Sequence, residues 1–220
     1  MKKRGIFITF EGPEGSGKTT QSSRLVQYLR DRGNEVLYTR EPGGSLIGDK
    51  IRGLLLDPKN KEMISTTELL LYAACRAQHI EEMIKPALMR GTIVICDRFM
   101  DSSTAYQGYG RQLDLELIET LNKIAVNGCL PDITLVLDIE AERGLKKAIA
   151  LAKDESAGTP DRIEEMGISF HRRVREGYKK IQQKEPDRVK YIYVNDDEDK
   201  IFEKVLDFVK LMLIERGFKV

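Results

Sequence analysis

The chain has 220 residues, of which 41% are hydrophobic and 32% are charged, and its formal net charge is +1. This length favours a single domain with one sizeable core, and the near-zero charge excludes a global electrostatic field that would attract nucleic acid or an anionic membrane. No run approaches the roughly 18 apolar residues of a membrane span, and the stretch after Met1-Lys2-Lys3-Arg4 is too short for a secretion signal. We therefore expect a cytoplasmic protein without nucleic-acid or membrane partners.

The first predicted elements are a strand over residues 5–11, rich in β-branched and aromatic residues, and a helix over Gln21–Arg32 that ends at Gly33. The segment between them is a complete G-x-x-x-x-G-K-[ST] motif. It reads Gly12-Pro13-Glu14-Gly15-Ser16-Gly17-Lys18-Thr19-Thr20. Because strand, loop and helix follow in the order that the motif requires, we predict that residues 12–20, the phosphate loop, bind the phosphates of a nucleotide.

The residue types of the phosphate loop explain this chemistry. Glycines let consecutive backbone N–H groups turn toward one centre, and the following helix adds its unpaired N-terminal donors. Lys18 supplies a full positive charge, and the Thr19 hydroxyl would bind a Mg2+ ion shared with the phosphates. The loop is therefore expected to bind a polyphosphate together with Mg2+.

Four further β-rich runs alternate with helical stretches, and several are apolar almost throughout, as expected for strands covered on both faces. They are residues 35–40, 92–96, 133–139 and 190–194. The alternation predicts a three-layer α/β fold in which helices flank a five-stranded parallel sheet. In such sheets the active site lies beyond the C-terminal ends of the strands.

The predicted strand ends are rich in charge. Arg40 ends the second strand, and Asp97 and Arg98 end the third, where Asp97 could supply a second ligand to Mg2+. Arg76 is predicted near the same crevice, and Arg111 follows a glycine-rich segment. Grouped arginines suit phosphoryl transfer to a phosphate acceptor, because the repulsion between two anions must be screened. Taken singly, each arginine would more commonly form a surface ion pair, and it is their grouping that favours a functional role.

Two segments outside the crevice carry structural predictions. Ser65-Thr66-Thr67-Glu68 has the pattern of a capping box at the start of a long helix, and Pro86 is expected to end or kink that helix. The polar, Gly- and Pro-bearing residues 153–160 are predicted to form a mobile loop.

The cysteines and histidines exclude several kinds of site. Cys75, Cys96 and Cys129 are widely separated in apolar surroundings, so we expect buried thiols rather than a disulfide framework or a metal site. His79 and His171 are the only histidines, and their spacing is not that of metal ligands. A zinc enzyme or a triad hydrolase is therefore not expected.

A guanine-nucleotide switch would need an Asn-Lys-x-Asp motif for base recognition. The segments Asn60-Lys61-Glu62-Met63 and Asn122-Lys123-Ile124-Ala125 both lack the aspartate. The sequence therefore argues against that class.

Taken together, the motifs resemble those of bacterial thymidylate kinases, in order and in spacing. They are residues 12–20, Thr39-Arg40-Glu41-Pro42-Gly43-Gly44, Tyr72-Ala73-Ala74-Cys75-Arg76, Asp97-Arg98-Phe99 and Ala105-Tyr106-Gln107-Gly108. The resemblance covers nearly the whole chain. It implies a single kinase-like domain over residues 1–220 that transfers the γ-phosphoryl group of ATP to dTMP with Mg2+, giving dTDP for dTTP synthesis, and that acts as a homodimer.

For the base of dTMP, the resemblance implies that Tyr72 stacks on the thymine ring and that Arg76, four residues later on the same helix face, hydrogen-bonds a thymine carbonyl. Ser103 would lie near the base edge, and Gln107 belongs to the same substrate-binding set. Core packing is the alternative role for Tyr72.

For the sugar and phosphate, the resemblance implies that Tyr106 crowds the sugar 2′ position and so selects deoxyribose. Glu14 would face the acceptor sugar, Arg98 would hold the acceptor phosphate, and Arg40 would complete the substrate site. Core packing is also the alternative role for Tyr106.

The resemblance is incomplete after the fourth strand. Members with glycine rather than arginine at the loop position of Gly15 resemble a subclass whose transition-state arginines lie in a lid, soon after a Leu-Lys-Arg sequence. Here Leu145-Lys146-Lys147 stands in that place, and no arginine follows it before Arg162. The candidates for the catalytic charge, in a lid predicted around residues 143–162, are Arg143, Lys147, Lys153 and Arg162. Arg143 is favoured for its guanidinium group and Lys153 for its place in the predicted mobile loop.

Two alternatives remain open from the sequence. The chain could be a kinase for another nucleoside monophosphate. It could also be a nucleotide-dependent regulatory module that hydrolyses its nucleotide slowly or not at all.

Overall fold

The computed structural model describes residues 4–154, 162–195 and 197–220, with the backbone alone for residues 151–154. Its strands form one parallel sheet in the order β2-β3-β1-β4-β5. They are β1 (Phe7–Glu11), β2 (Val36–Arg40), β3 (Ile93–Asp97), β4 (Ile133–Asp138) and β5 (Val189–Tyr193). All five predicted strands are present, which confirms the predicted five-stranded parallel sheet.

The helices occupy the segments between and after these strands. They are α1 (Lys18–Asp31), α2 (Leu46–Leu56), α3 (Ser65–His79), α4 (Lys85–Arg90), α5 (Met100–Ser103), α6 (Leu115–Val126), α7 (Ala141–Asp154), α8 (Ile168–Lys184) and α9 (Glu198–Glu215). A π-helical segment, Ile80–Ile84, joins α3 to α4, and another, Thr104–Gly110, continues α5. Among the described helices, none is long and apolar enough to cross a bilayer.

Helices cover both faces of the sheet, which makes three layers. Alternate side chains of β1 point to opposite faces. Ile8 and Phe10 pack with α1 and α9, whereas Phe7 packs with the π-helical segment after α3 and with α4. Val136 of β4 packs against α8 on the same face as Phe7. Every residue of β1 and β4 is buried, as the apolar runs predicted.

Helix α1 begins three residues earlier than predicted, at Lys18 rather than at Gln21. Gly17, with φ 85°, is its N-cap, so the end of the phosphate loop already forms the first helical turn. At the other end Gly33 has φ 78°, and the N–H of Asn34 donates to the carbonyl oxygen of Leu29 over 3.1 Å. The predicted glycine stop is therefore confirmed.

The capping-box prediction for α3 was wrong. Ser65 is the first residue of the helix, and its N-cap is Ile64, which has no side-chain cap. Glu68 does not reach back to the helix start, because its buried carboxylate binds Arg111 instead. Pro86 lies in the first turn of α4, directly after the π-helical segment. The helix thus changes its hydrogen-bond pattern before the proline, which has no N–H to donate.

The cysteine prediction is confirmed, since Cys75, Cys96 and Cys129 are all buried free thiols. Burial raises the pKa of each of them above its ordinary value. These thiols are therefore protonated core groups at neutral pH.

The sheet order places the charged strand ends side by side. In the parallel register Phe10 of β1 lies opposite Asp97 of β3, and Arg40 of β2 lies opposite the same residue. The phosphate loop follows β1 directly. The C-terminal ends of β1, β2 and β3 therefore open onto one edge of the sheet, where the candidate site lies.

Candidate active site

The phosphate loop joins β1 to α1 and has a conformation that only glycine adopts easily at several positions. Gly12, Gly15 and Gly17 have φ values of 136°, 66° and 85°. A Cβ atom built on Gly12 would overlap with the carbonyl oxygen of Leu137, and one built on Gly15 with that of Gly144. The loop is therefore packed closely against the end of β4 and the start of α7, so its backbone donors are fixed.

Lys18 folds back over the phosphate loop. Its Nζ atom donates to the carbonyl oxygens of Gly12 and Pro13, over 3.1 and 2.8 Å, and lies 3.4 Å from Ser16 Oγ. Burial, followed by the charge of Arg98, lowers the pKa of Lys18 to about 8. The ammonium group is thus largely charged at neutral pH and available to phosphate oxygens at the loop.

Thr19 and Asp97 meet at the edge of the sheet. The Thr19 hydroxyl, in the first turn of α1, donates to Asp97 Oδ2 over 2.6 Å. A hydroxyl and a carboxylate beside a phosphate loop are the oxygen ligands that suit Mg2+. No cluster of three or more His, Cys, Asp or Glu side chains that could hold a metal ion occurs in the described parts of the chain. The pair fits an ion that takes its other ligands from phosphates and water.

Arg98 and Glu14 form an ion pair above the phosphate loop. Arg98 Nη2 donates to Glu14 Oε1 over 2.6 Å, and the Tyr106 hydroxyl donates to the same oxygen over 2.8 Å. Burial alone would raise the pKa of Glu14, but the charges of Arg98 and Lys18 outweigh it and hold this pKa at about 2. Glu14 is therefore an ionised acceptor. Arg98 Nη1 also donates to the Gly12 carbonyl oxygen over 3.2 Å.

A cavity of about 170 Å3 lies between α3, α5 and the phosphate loop. Most of the residues predicted to bind the acceptor substrate line it. These are Glu14, Tyr72, Arg76, Arg98, Ser103, Tyr106 and Gln107. The structure therefore brings together residues that lie far apart in the sequence.

A larger cavity, of about 1000 Å3, opens along the phosphate loop and is lined by Lys18, Thr19, Arg40 and Asp97. Glu14 and Arg98 line both cavities. Glu41, Arg52 and Leu56 also line both, so the two cavities share a wall that includes this ion pair, beside the charged end of Lys18. This arrangement can hold two phosphate-bearing molecules with their phosphates facing each other.

Arg76 is fixed by protein groups. Its guanidinium group donates to the side chains of Glu41, Ser103 and Asn122 and to the carbonyl oxygen of Phe99, over distances of 2.8 to 3.1 Å. Of its N–H donors, a single one is left by these contacts for the smaller cavity. Arg76 can therefore offer one hydrogen bond in a fixed direction, and Ser103 supports it.

Glu68 is the centre of a second buried cluster. Gln107 Nε2 and Arg111 Nη2 donate to its carboxylate over 2.9 and 2.8 Å, and Arg162 Nη2 lies 2.5 Å from its Oε2 atom. Arg111, which the sequence grouped with the crevice arginines, lies in this cluster and lines neither cavity in the described structure.

The lid candidates are not placed at the phosphates by the described structure. Arg143 is exposed, and its Nη1 donates to the carbonyl oxygen of Val194 over 3.4 Å. Arg162 is buried, and its Nε donates to the Leu55 carbonyl oxygen over 2.9 Å. The side chain of Lys153 and residues 155–160 of the predicted mobile loop lie outside the described residues.

Three buried glutamates contact residues of the site, and the sequence indicated a role for none of them, although Glu11 and Glu41 stood at predicted strand ends. Glu41 accepts from Arg76 Nε over 2.9 Å, Glu68 binds Gln107, and Glu11 binds the segment that follows Arg98. The sequence feature that could have pointed to them is a single acidic residue at the end of an apolar strand, as at Glu11. A carboxylate that is buried with partners often supports a site.

Known proteins share both the sequence and the fold. A family model described as thymidylate kinase matches residues 10–205. The thymidylate kinase of Exiguobacterium sp. is 46% identical over 213 residues, which cover 97% of this chain and 98% of the relative. The thymidylate kinase of Clostridium novyi is 46% identical over 207 residues, which cover 94% and 99%. The crystal structure of thymidylate kinase from Ehrlichia chaffeensis matches with a TM-score of 0.75 at 38% identity, covering 94% of this chain and 99% of that one.

Proposed function

Because the chain belongs to the thymidylate kinase family, it is an enzyme that phosphorylates dTMP to dTDP, and we propose that the transfer takes place where the two cavities meet. ATP is the phosphate donor. The observation that carries this proposal is that the paired side chains Glu14 and Arg98 line both cavities. Donor and acceptor phosphates on either side of this pair would face each other in line.

The larger cavity is proposed as the ATP site. Backbone N–H groups of the phosphate loop and the charged Lys18 would bind the β- and γ-phosphates. Thr19 and Asp97 would hold Mg2+, which when bound neutralises phosphate charge and fixes the direction of the phosphate chain. Arg40, at the end of β2 in the same cavity, would add positive charge on the acceptor side.

The smaller cavity is proposed as the dTMP site. Arg98 would bind the acceptor phosphate, whose oxygen is already anionic, so no general base is required. The ionised Glu14 is a hydrogen-bond acceptor suited to a sugar hydroxyl, and Tyr106 beside it would crowd the 2′ position. These roles are supported by the lining of the cavity and by the 2.6 Å and 2.8 Å contacts to Glu14.

The base of dTMP would lie further into the same cavity. Tyr72 would stack on the thymine ring. The single available N–H of Arg76 would donate to a thymine carbonyl, with Ser103 and Gln107 at the base edge. The support for these roles is that all four side chains line the smaller cavity, while Arg76 and Gln107 are held by Glu41 and Glu68.

The lid roles and the domain boundary stay predictions. We retain a single domain over residues 1–220 with a lid around 143–162, in which Arg143 or Lys153 supplies transition-state charge. Among the described residues, the exposed Arg143 side chain has a single long hydrogen bond, to the carbonyl oxygen of Val194. Such a side chain is free enough to change its partner.

We infer that the enzyme is a homodimer, because large apolar side chains are exposed on α2, on α6 and on and just before α3, and these helices pack side by side. They are Leu46, Ile47, Leu54, Ile64, Leu70, Leu115, Leu117 and Ile124. The three free buried thiols fit a reducing compartment, which supports our placement of the reaction in the cytoplasm. Light scattering after size-exclusion chromatography would test the dimer.

A panel of acceptors tests the proposed reaction. The enzyme is incubated with γ-labelled ATP and with thymidine, deoxyuridine, cytidine or guanosine monophosphate, and the labelled diphosphate is measured. We expect the highest kcat/KM for the thymidine nucleotide. A higher value for another nucleotide would indicate a different monophosphate kinase, and label released only as inorganic phosphate would indicate a regulatory module.

A further inference from the structure

Glu11, the last residue of β1, is a buried carboxylate that the proposed reaction does not use. Its Oε1 atom accepts hydrogen bonds from the backbone N–H groups of Phe99 and Ser102, over 2.8 and 3.1 Å. Its Oε2 atom accepts from Ser102 Oγ over 2.6 Å and from the Tyr178 hydroxyl over 2.8 Å. Glu11 lines neither of the two cavities described above. Both carboxylate oxygens thus accept hydrogen bonds from groups of the protein.

The segment that Glu11 holds is the one that carries Arg98. Arg98 has φ 69°, a left-handed conformation that residues with a side chain rarely adopt. Its own N–H donates to the carbonyl oxygen of Phe10 over 2.8 Å. Further along the chain, the N–H groups of Phe99 and Ser102 donate to Glu11. Such a backbone conformation persists only where its surroundings hold it. Phe10 and Glu11 provide that support from one strand.

The Arg98 side chain then reaches back to the loop that follows Glu11. Its Nη1 atom donates to the carbonyl oxygen of Gly12 over 3.2 Å and to Ser102 Oγ over 3.4 Å, and its Nη2 atom donates to Glu14. Ser102 is thus bound by Glu11 on one side and by Arg98 on the other. A shift of the first turn of α5 would move both the backbone and a side-chain contact of Arg98.

We propose that Glu11 is a positioning residue for Arg98: its Oε1 atom holds the first turn of α5, so that the guanidinium group points into the acceptor cavity. This inference rests on the proposed role of Arg98 in binding the acceptor phosphate. Glu11 touches neither substrate and acts through the backbone of Phe99 and Ser102.

The contacts of Glu11 show which of its properties matters. Oε1 accepts two N–H groups and needs only to be an oxygen with lone pairs. Oε2 faces the hydroxyls of Ser102 and Tyr178, which can each donate or accept. A glutamine side chain can therefore replace the carboxylate, with its oxygen toward the N–H groups and its NH2 group toward the hydroxyls. An alanine side chain leaves both N–H groups without their acceptor.

Steady-state kinetics of the full-length enzyme test the proposal, with KM measured separately for dTMP and for ATP. We expect Glu11→Ala to raise the KM for dTMP by about 10-fold or more and to leave the KM for ATP within about 3-fold, whereas Glu11→Gln stays within about 3-fold for both. Arg98→Ala should raise the KM for dTMP by about 30-fold or more. The double variant Glu11→Ala/Arg98→Ala should be no worse than Arg98→Ala, because the two substitutions remove the same interaction.

Tyr178→Phe is the matched control, since it removes one hydrogen bond to Oε2 and leaves the N–H groups of Phe99 and Ser102 bound. It should leave the KM for dTMP within about 3-fold. If Glu11→Ala fails a folding check by circular dichroism, Glu11→Asp carries the same test, because its shorter side chain withdraws Oε1 from both N–H groups.

Three results would overturn the proposal: Glu11→Gln as harmful as Glu11→Ala, equal increases in the two KM values, or additive effects of Glu11→Ala and Arg98→Ala. If Arg98→Ala alone leaves the KM for dTMP unchanged, the proposed role of Arg98 fails and the positioning role fails with it. Failure of the proposed role of Arg98 can be distinguished from failure of the positioning role alone, because only in the first case does Arg98→Ala leave the KM for dTMP unchanged.

Discussion

The Thr19 hydroxyl donates a hydrogen bond of 2.6 Å to Asp97 Oδ2 and so joins the first turn of α1 to the end of β3. The two side chains come from residues 78 positions apart, and they meet only because β1 and β3 are neighbours in the sheet. Their oxygens are proposed to hold Mg2+.

Replacing Asp97 tests this metal site. We expect Asp97→Asn to raise the Mg2+ concentration needed for half-maximal activity and to lower kcat by about 10-fold or more, because an amide oxygen carries no charge for the cation. Activity is titrated with Mg2+ at saturating ATP and dTMP. Thr19→Ser, which keeps the hydroxyl, should stay near the parent. An unchanged Mg2+ dependence in Asp97→Asn would remove Asp97 from the site.

The lowered pKa of Lys18 predicts a pH dependence for ATP binding. Below a pKa of about 8 the free enzyme carries the ammonium charge, and above it the charge is lost. The kcat/KM for ATP should therefore fall as pH rises through about 8. The corresponding fall in kcat should occur at higher pH, because the bound phosphates favour the charged form of Lys18. A kcat/KM that stays flat up to pH 9.5 would contradict the assignment, and Lys18→Ala should abolish transfer with the fold retained.

Glu11 predicts a second pH effect, on stability rather than on ATP binding. Burial, followed by the charge of Asp101, raises the pKa of Glu11 from 4.5 to about 7 in the folded chain, although hydrogen bonds from Ser102 and Tyr178 and the charge of Arg98 oppose the shift. The folded state therefore binds more protons than the unfolded state between these values. The contribution of Glu11 to stability is full below pH 4.5 and is lost as pH rises through 7.

Glu11→Gln, which does not titrate, should therefore gain stability relative to the parent between pH 4.5 and 8, by up to about 3 kcal/mol. Urea denaturation at a series of pH values measures this difference. A difference that is independent of pH would show that the pKa of Glu11 is not raised in the folded chain.

Tyr106 is predicted to select the sugar. Tyr106→Ala should raise kcat/KM for the ribose monophosphate relative to the deoxyribose form by about 10-fold or more, because the ring that would oppose a 2′ hydroxyl is removed. Tyr106→Phe keeps the ring and loses only the hydrogen bond to Glu14, so it should keep the parent ratio. If Tyr106→Ala leaves the ratio of the two sugars unchanged, Tyr106 does not select the sugar, and its roles are the packing against Phe170 and Tyr178 and the hydrogen bond to Glu14.

The lid candidates should separate into two groups. Arg162→Ala should lower the free energy of unfolding by about 2 kcal/mol, because it removes a buried partner of Glu68 that Arg111 replaces only in part. At least one of Arg143→Ala, Lys147→Ala and Lys153→Ala should lower kcat by about 10- to 1000-fold with a smaller change in the KM for dTMP. Near-parental kcat values in all of them would leave Lys18 and Arg98 as the transition-state cations.

The sheet and the phosphate loop could be predicted because their signals are local. An apolar run of five or six residues is sufficient to indicate a buried strand, and all nine residues of the loop motif are consecutive. The adjacency of Arg40, Asp97 and Lys18 followed from one general rule for parallel sheets. The cluster of predicted dTMP residues depended on the resemblance, since no spacing rule joins Tyr72 to Tyr106.

The errors have a common physical cause. Glu68 has the spacing of a capping residue, but its partners Arg111 and Arg162 lie 43 and 94 positions later, and buried ion pairs outweigh a local cap. Glu11 and Glu41 were expected at strand ends but were given no role for the same reason, because a strand-end glutamate gives no indication of what will surround it. Long-range charge pairing in a buried environment is the part of the site that one sequence does not reveal.

The close packing of Gly15 against Gly144 limits where a cation can stand in this enzyme. Any side chain at position 15 would overlap with the backbone of α7, and a Cβ atom at position 144 would overlap with the carbonyl oxygen of Glu14. An arginine at position 15 is thus incompatible with the present position of α7. Exchanging Gly15 for arginine would require α7 to shift away from the loop, so this single substitution cannot bring a catalytic charge into the loop without a change elsewhere.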